Sequence, residues 1–239
     1  MNVKYRHAWR AMAVASALAI PVATWAGDRG SDDFKFRDMS AQWWEWALSI
    51  PTSVNPLLDN TDPAPNCMVG QRGPVWFLAG YWLGGTFSRG CTVPEGVTLF
   101  FPVYNYFEVD TPHVCGQGDP VPVAEMRGRA KASIDAITKV TATIDGRGIP
   151  SIRRATSPRF PLAFPADNFF ATDCAPYGGF PAGIYSPSIS DGYWVKLDDL
   201  SPGEHVLHFT ADKADVQRIN GTYRLTVVPV AGRDRKSVV

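Results

Sequence analysis

Cys67-Met-Val-Gly-Gln-Arg-Gly-Pro-Val-Trp-Phe-Leu-Ala-Gly80, followed by a glycine-rich turn and Thr86-Phe-Ser-Arg-Gly-Cys91, is the stretch from which the fold is read. The run Val75 to Ala79 is fully apolar and lies between turn residues, with a cysteine on either side. Such a short run fits a strand buried on both faces, although periodicity alone does not separate it from a segment of buried helix. Gly84-Gly85 lets the chain reverse, and Phe87 to Val93 supplies a second strand. The two are expected to form a hairpin at the centre of a stapled β-core.

Outward from this centre the pattern stays β. Val97 to Tyr106 reads as a third strand bent at Pro102, because proline cannot donate to a ladder. Val140, Ala142 and Ile144 alternate with threonines up to an Asp145-Gly146 turn. Tyr193 to Leu197, Val206 to Thr210 and Thr222 to Val228 complete the strands. Two helices interrupt them. Ser40 to Ile50 is expected to start on a Ser40 cap and stop at Pro51, with Trp43, Trp46, Ala47 and Ile50 on one face. The second opens at Asp119-Pro120 and repeats Val123, Met126, Ala130, Ile134 and Ile137 at helical spacing. Residues 27–38 read as a loose lead-in, 51–66 as a turn-rich loop, and 150–188 as a long irregular segment. Strands at short intervals with Gly/Pro turns predict a mainly β fold: a β-sandwich, immunoglobulin-like or jelly-roll-like, with two short helices packed on it. One such domain over residues 27–230 is expected, with a flexible tail at 231–239.

Ahead of it, Lys4, Arg6 and Arg10 precede an apolar run from Ala11 to Ala23, and Thr24-Trp25-Ala26 offers a small residue for cleavage. This pattern predicts a secretory signal over residues 1–26, and the run is short for a membrane span. Taking its three basic residues from the 23 of the chain leaves 20 against 23 acidic ones, a net charge of −3. A nucleic-acid partner needs a concentrated basic face, so none is expected. No transmembrane segment is expected after cleavage, and the location is periplasmic or secreted.

Four cysteines, Cys67, Cys91, Cys115 and Cys174, all lie past the signal. In an exported chain they read as disulfides, with three possible connectivities. Cys67–Cys91 and Cys115–Cys174 are favoured because each closes a local loop. Zinc is disfavoured, since no Cys-x-x-Cys occurs.

Trp43-Trp44-Glu45-Trp46-Ala47-Leu48-Ser49-Ile50-Pro51, Gly73-Pro74-Val75-Trp76-Phe77-Leu78-Ala79-Gly80, Cys91-Thr92-Val93-Pro94 with Phe100-Phe101-Pro102, and Asp191-Gly192-Tyr193-Trp194 resemble a group of exported bacterial proteins of unknown function. The resemblance implies secretion and a mainly β domain, and it brings no activity. The segment Asp191 to Val228, with its Pro202-Gly203-Glu204-His205 turn, is similar to a terminal hairpin of bacterial immunoglobulin-type modules, a likeness of fold alone.

No nucleophile elbow, zinc-protease helix, phosphate loop or dinucleotide fingerprint occurs. Two constellations remain. Tyr177, Tyr185, Asp191, Tyr193 and Trp194 are candidates for an aromatic groove that stacks sugars and hydrogen-bonds them. Glu108, Asp110 and His113, with Asp119 as a fourth ligand, are candidates for one divalent metal ion of the Mn, Fe or Zn kind. His205 and His208 sit on opposite faces of a strand and cannot share a metal. The expectation is a non-catalytic, exported, disulfide-stabilised module without a cofactor, binding polysaccharide or another envelope component. The alternative is a secreted metal-dependent enzyme using the Glu108/Asp110/His113 loop.

Overall fold

The computed structural model describes residues 28–214 and 216–230. The signal and the tail read from the sequence lie outside them. Helix α1 (Asp28–Ser49) comes first, followed by β1 (Val75–Phe77), β2 (Gly85–Pro94) and β3 (Thr98–Val109). Helix α2 (Val123–Asp135) precedes β4 (Ile137–Ile144), β5 (Arg147–Gly148), β6 (Arg153–Thr156) and β7 (Phe160–Phe164). The chain ends in β8 (Gly183–Leu197), β9 (Gly203–Lys213) and β10 (Val216–Val228). Two five-stranded sheets result. One runs β1-β3-β8-β6, with β7 on the same edge of β8; the other runs β2-β10-β9-β4-β5. Among the described residues no helix is long and apolar enough to cross a membrane.

The sheets pack through one apolar layer. Leu99, Phe101, Val103 and Val195 of the first sheet meet Phe87, Leu207, Phe209 and Leu225 of the second. The first sheet is buried on its other face too, where Phe100, Leu162 and Trp194 lie under Trp43, Ala47 and Leu48 of α1. This explains the uninterrupted Leu99-Phe100-Phe101: strand side chains alternate faces, and here both faces are dry. Phe100 stacks on Trp194, with centroids 5.1 Å apart and planes 10° apart, and Trp43 meets Trp194 edge-on at 5.7 Å. The Asp145-Gly146 turn joins β4 to β5 with both residues at positive φ, as the alternation predicts.

Four expectations are corrected. The stretch Cys67–Cys91 is not a hairpin. Strand β1 runs parallel to β3 in the first sheet, and β2 runs parallel to β10 in the second. Buried surface in both sheets, rather than turn proximity, decides where each strand goes. The chain from Asp191 to Val228 is likewise not one hairpin, since β8 and β9 belong to different sheets; only β9 and β10 pair. Helix α1 also starts far upstream of Ser40. Phe36 and Met39 extend its buried face by one turn, and Ser40 is no cap: its Oγ donates to the Arg37 carbonyl within the helix. Last, the segment 150–188 holds β6, β7 and the start of β8. Phe160, Leu162 and Phe164 alternate inward, a period of two that Pro161 and Pro165 obscure.

Both favoured disulfides are present, with Cα separations of 5.9 Å for Cys67–Cys91 and 4.8 Å for Cys115–Cys174. The first owes nothing to a hairpin. The Ala64 amide donates to the Gly90 carbonyl, so the turn before β1 lies along β2 and brings Cys67 to Cys91.

Candidate functional site

The two constellations read from the sequence do not assemble. Trp194 is wholly buried between Phe100 and Trp43, and Tyr193 points to the opposite face of the sheet. Asp191 is buried and held by Arg154, which forks onto both carboxylate oxygens at 2.6–3.2 Å. Tyr185 packs on Phe164 and Phe180, and its hydroxyl donates to the Pro181 carbonyl. Tyr177 is exposed and covers Gly116. These five line no common groove.

Glu108, Asp110 and His113 belong to no metal-binding group among the described residues. Glu108 accepts from the Tyr106 hydroxyl and faces Arg129. One Asp110 oxygen accepts from the Gln117 amide at 2.6 Å and from the Val121 amide at 2.9 Å. Asp119 takes part through its carbonyl, which accepts from Gln117. His113 supplies a positive-φ corner whose amide donates to Gln117 and Gly118 carbonyls. The acids here shape a loop that leads into α2. His205 and His208 are equally occupied, with Asp145 and Asn220.

What the structure does build lies along β3. Strand β1 accompanies β3 only from Thr98 to Phe100, and Leu78 adds one last bond, its amide donating to the Phe100 carbonyl. Beyond that point the chain leaves β3. Its carbonyls go instead to side chains from three other elements. Trp43 Nε1 donates to Leu78 O at 3.0 Å; the Tyr223 hydroxyl donates to Ala79 O at 2.6 Å; Arg89 Nη1 donates to Ala79 O and Gly80 O at 3.2 and 3.1 Å. The Trp82 amide is tied to Leu57 O on the far side. Buried carbonyls need partners, so each of these donors does work that a strand neighbour would otherwise do.

Arg89 is the unusual member. Only 1% of it is exposed, and it faces inward on β2 in line with Phe87, Cys91 and Val93. Its guanidinium lies 4.6 Å from the Phe87 ring centroid and just under 6 Å from those of Tyr81 and Tyr223. A cation among aromatic faces and carbonyls is offset by their negative ends. Burial pushes the Tyr223 phenol up, so it remains a donor to Ala79. Burial also pushes Asp59 up, but hydrogen bonds from Thr61 and Asn66 and the charge of Arg89 overcome this and hold it below the usual carboxylate range.

The gap left between β3 and the diverging loop is a cleft of about 530 Å³. Tyr81, Trp82 and Leu83 form one wall; Tyr104, Asn105 and Phe107 form the other; the buried Phe209 and Ile219 lie at the inner end and the exposed Arg218 at the rim. Trp82 rests on Phe169 at 4.7 Å, and Leu83 is 75% exposed at the tip. Gly84 has φ +70°, and a Cβ there would stand 3.1 Å from the Arg218 carbonyl, so glycine lets the loop close against β10. Behind the walls, Trp44 Nε1 and Asn105 Nδ2 are buried N–H groups without a partner. The cleft is of the size and lining usual for small-molecule sites. Of its lining residues only Trp43 and Trp44 stood out in the sequence, on the tryptophan-rich helix; the loop wall did not. The signal was the apolar triplet Tyr81-Trp82-Leu83 inside a glycine turn, where polar residues are the rule.

Comparison with protein-family models, with curated proteins and with solved structures gives no match to this chain.

Proposed function

We propose that the chain is an exported, non-catalytic binding module for a component of the bacterial envelope, and that its ligand seat is the cleft beside β3. The observation that carries this reading is the clamp. Three side chains from α1, β2 and β10 hold the Leu78–Gly80 carbonyls away from β3, so the cleft is part of the folded structure and needs no ligand to open it. Preorganisation of this kind lowers the cost of binding. Export is supported by the basic-then-apolar segment 1–26 and by two disulfides, which persist in oxidising compartments. The resemblance to exported bacterial proteins points the same way.

The test uses the oxidised chain from Gly27 onward and its Leu83→Ser variant, mixed with peptidoglycan, polysaccharide and lipid fractions of envelopes. Leu83 is solvent-exposed, so the variant keeps the fold. Retention on one fraction that falls at least fivefold in Leu83→Ser supports the cleft. Equal retention of both proteins, or none, overturns it.

A further inference from the structure

We infer that the cleft takes an amphipathic carboxylate, an apolar chain or ring bearing one anionic group, rather than a polyhydroxylated sugar. The inference rests on the cleft being the ligand seat and names what it selects. Its residues include one charged side chain, Arg218, and no aspartate or glutamate. Among the described residues no carboxylate is paired with Arg218; the nearby β10 arginine that is paired, with Asp62, is Arg224. The unpartnered polar atoms behind the walls, Trp44 Nε1 and Asn105 Nδ2, are both donors.

That inventory discriminates between ligand classes. Every sugar hydroxyl brings a proton that needs an acceptor, and a buried hydroxyl without one is penalised. The Leu78–Gly80 carbonyls that might have served are already taken by Trp43, Tyr223 and Arg89. A carboxylate has acceptors only, and guanidinium is its best-matched donor fork. The polar atoms left in the walls are few, those of Tyr81, Trp82, Tyr104 and Asn105, while Leu57, Leu83, Phe107 and Ile219 give a chain of several methylenes a place to lose water. Arg218, exposed at the mouth, then pairs with the anionic end while the apolar end lies toward Phe107 and Phe209.

Calorimetric titration of the oxidised chain with decanoate, decanol and N-acetylchitotriose decides it. Decanoate is expected to bind one to one. Arg218→Gln should weaken decanoate about tenfold and leave decanol within twofold. Leu83→Ser should weaken both. If the trisaccharide binds, loses affinity in Leu83→Ser, and decanoate does not bind, the carboxylate assignment is overturned while the cleft remains the seat. If decanoate binds with no response to Arg218→Gln, the charge pairing is overturned. If no probe responds to Leu83→Ser, the cleft itself is not the seat and both readings go.

Discussion

Two halves of one strand behave differently. From Thr98 to Phe100, β3 has β1 on its outer edge, and the ladder closes in the ordinary way. From Pro102 to Phe107, among the described residues, no backbone hydrogen bond reaches that same edge. The sequence on both sides is apolar and strand-like, so propensity does not separate them. The difference comes from partners outside the strand. Pro102 has no N–H to offer, and β3 bulges between Pro102 and Tyr104 where it pairs with β8. The neighbouring chain finds better acceptor satisfaction in Trp43, Arg89 and Tyr223 than in β3. An open sheet edge invites unwanted pairing, and here the diverging loop screens it while leaving room between.

The largest way to break the contrast is through Trp43, which serves both halves. It packs on Trp194 beneath the paired half and caps Leu78 at the point of divergence. Trp43→Ala should cost about 3–5 kcal/mol in a denaturant titration. Trp43→Phe keeps most of the packing and loses the indole donor, so it should cost roughly 1–2 kcal/mol and act mainly on the cleft.

Removing the Cys67–Cys91 bond comes next. It ties the turn ahead of β1 to β2, across from one sheet to the other, and closes a loop with a sequence separation of 24. The paired Cys67→Ser/Cys91→Ser variant should lose about 3.5 kcal/mol on the chain-entropy account. A loss below about 1 kcal/mol would show that the sheets need no such tie.

Much of this architecture was legible in the residues. Seven of the ten strands, the Asp145-Gly146 turn and the α2 face Met126, Ala130 and Ile134 follow from spacing, and both disulfide pairs from the preference for local loops. Strands β5, β6 and β7 do not, and Ile137 opens β4 instead of ending α2. What was not legible depends on which sheet a strand joins. A run such as Val75 to Ala79 says that both faces are buried; it does not say against what. The same gap hid the site. Trp194 and Tyr193 are adjacent polar-tipped aromatics, yet alternation sends them to opposite faces of the sheet. Arg89 sat in plain view as a charge at an inward position of an alternating strand. Its role needed the Leu78–Gly80 loop, which only the folded chain brings near.

Gly192→Ala sharpens the comparison within the open half. A Cβ there would lie 2.8 Å from Asn105 Cβ and 2.9 Å from the Tyr104 carbonyl, both on the cleft wall. The backbone of β3 must shift, at a cost of about 1–3 kcal/mol. Ligand binding should fall with it, while a change of similar size at the β4–β5 turn, which lines no part of the cleft, should spare binding. Tyr223→Phe is milder. It removes one donor to Ala79 O and one acceptor for Arg89 Nη1, for about 1–2 kcal/mol by thermal melting.

The smallest effect serves as a control far from β3. Asp145 accepts from His205, which raises the imidazole pKa and lowers that of the carboxyl. A raised folded pKa means that the His205 contribution is complete below its unfolded pKa of about 6.5 and is lost as pH rises through the folded value. The lowered Asp145 pKa contributes above its unfolded value of about 3.9 and is lost on acidification. The pair should therefore matter most in the mildly acidic window between. The His205→Gln variant should flatten the pH dependence of the melting temperature there by no more than about 4 °C, with binding unchanged.

Amide hydrogen exchange on the oxidised chain tests most directly whether the loop is held off β3. The Leu78 amide and the β3 amides through Phe101 should be protected, while those of residues 103–107 not bonded to β8 should exchange at rates near those of open chain. In a paired Arg89→Met/Tyr223→Phe variant, protection should spread past residue 103 as the freed loop closes onto the strand. Uniform protection of residues 98–107 in the unmodified chain would contradict the account, because it would mean that the edge is already paired and the cleft is absent.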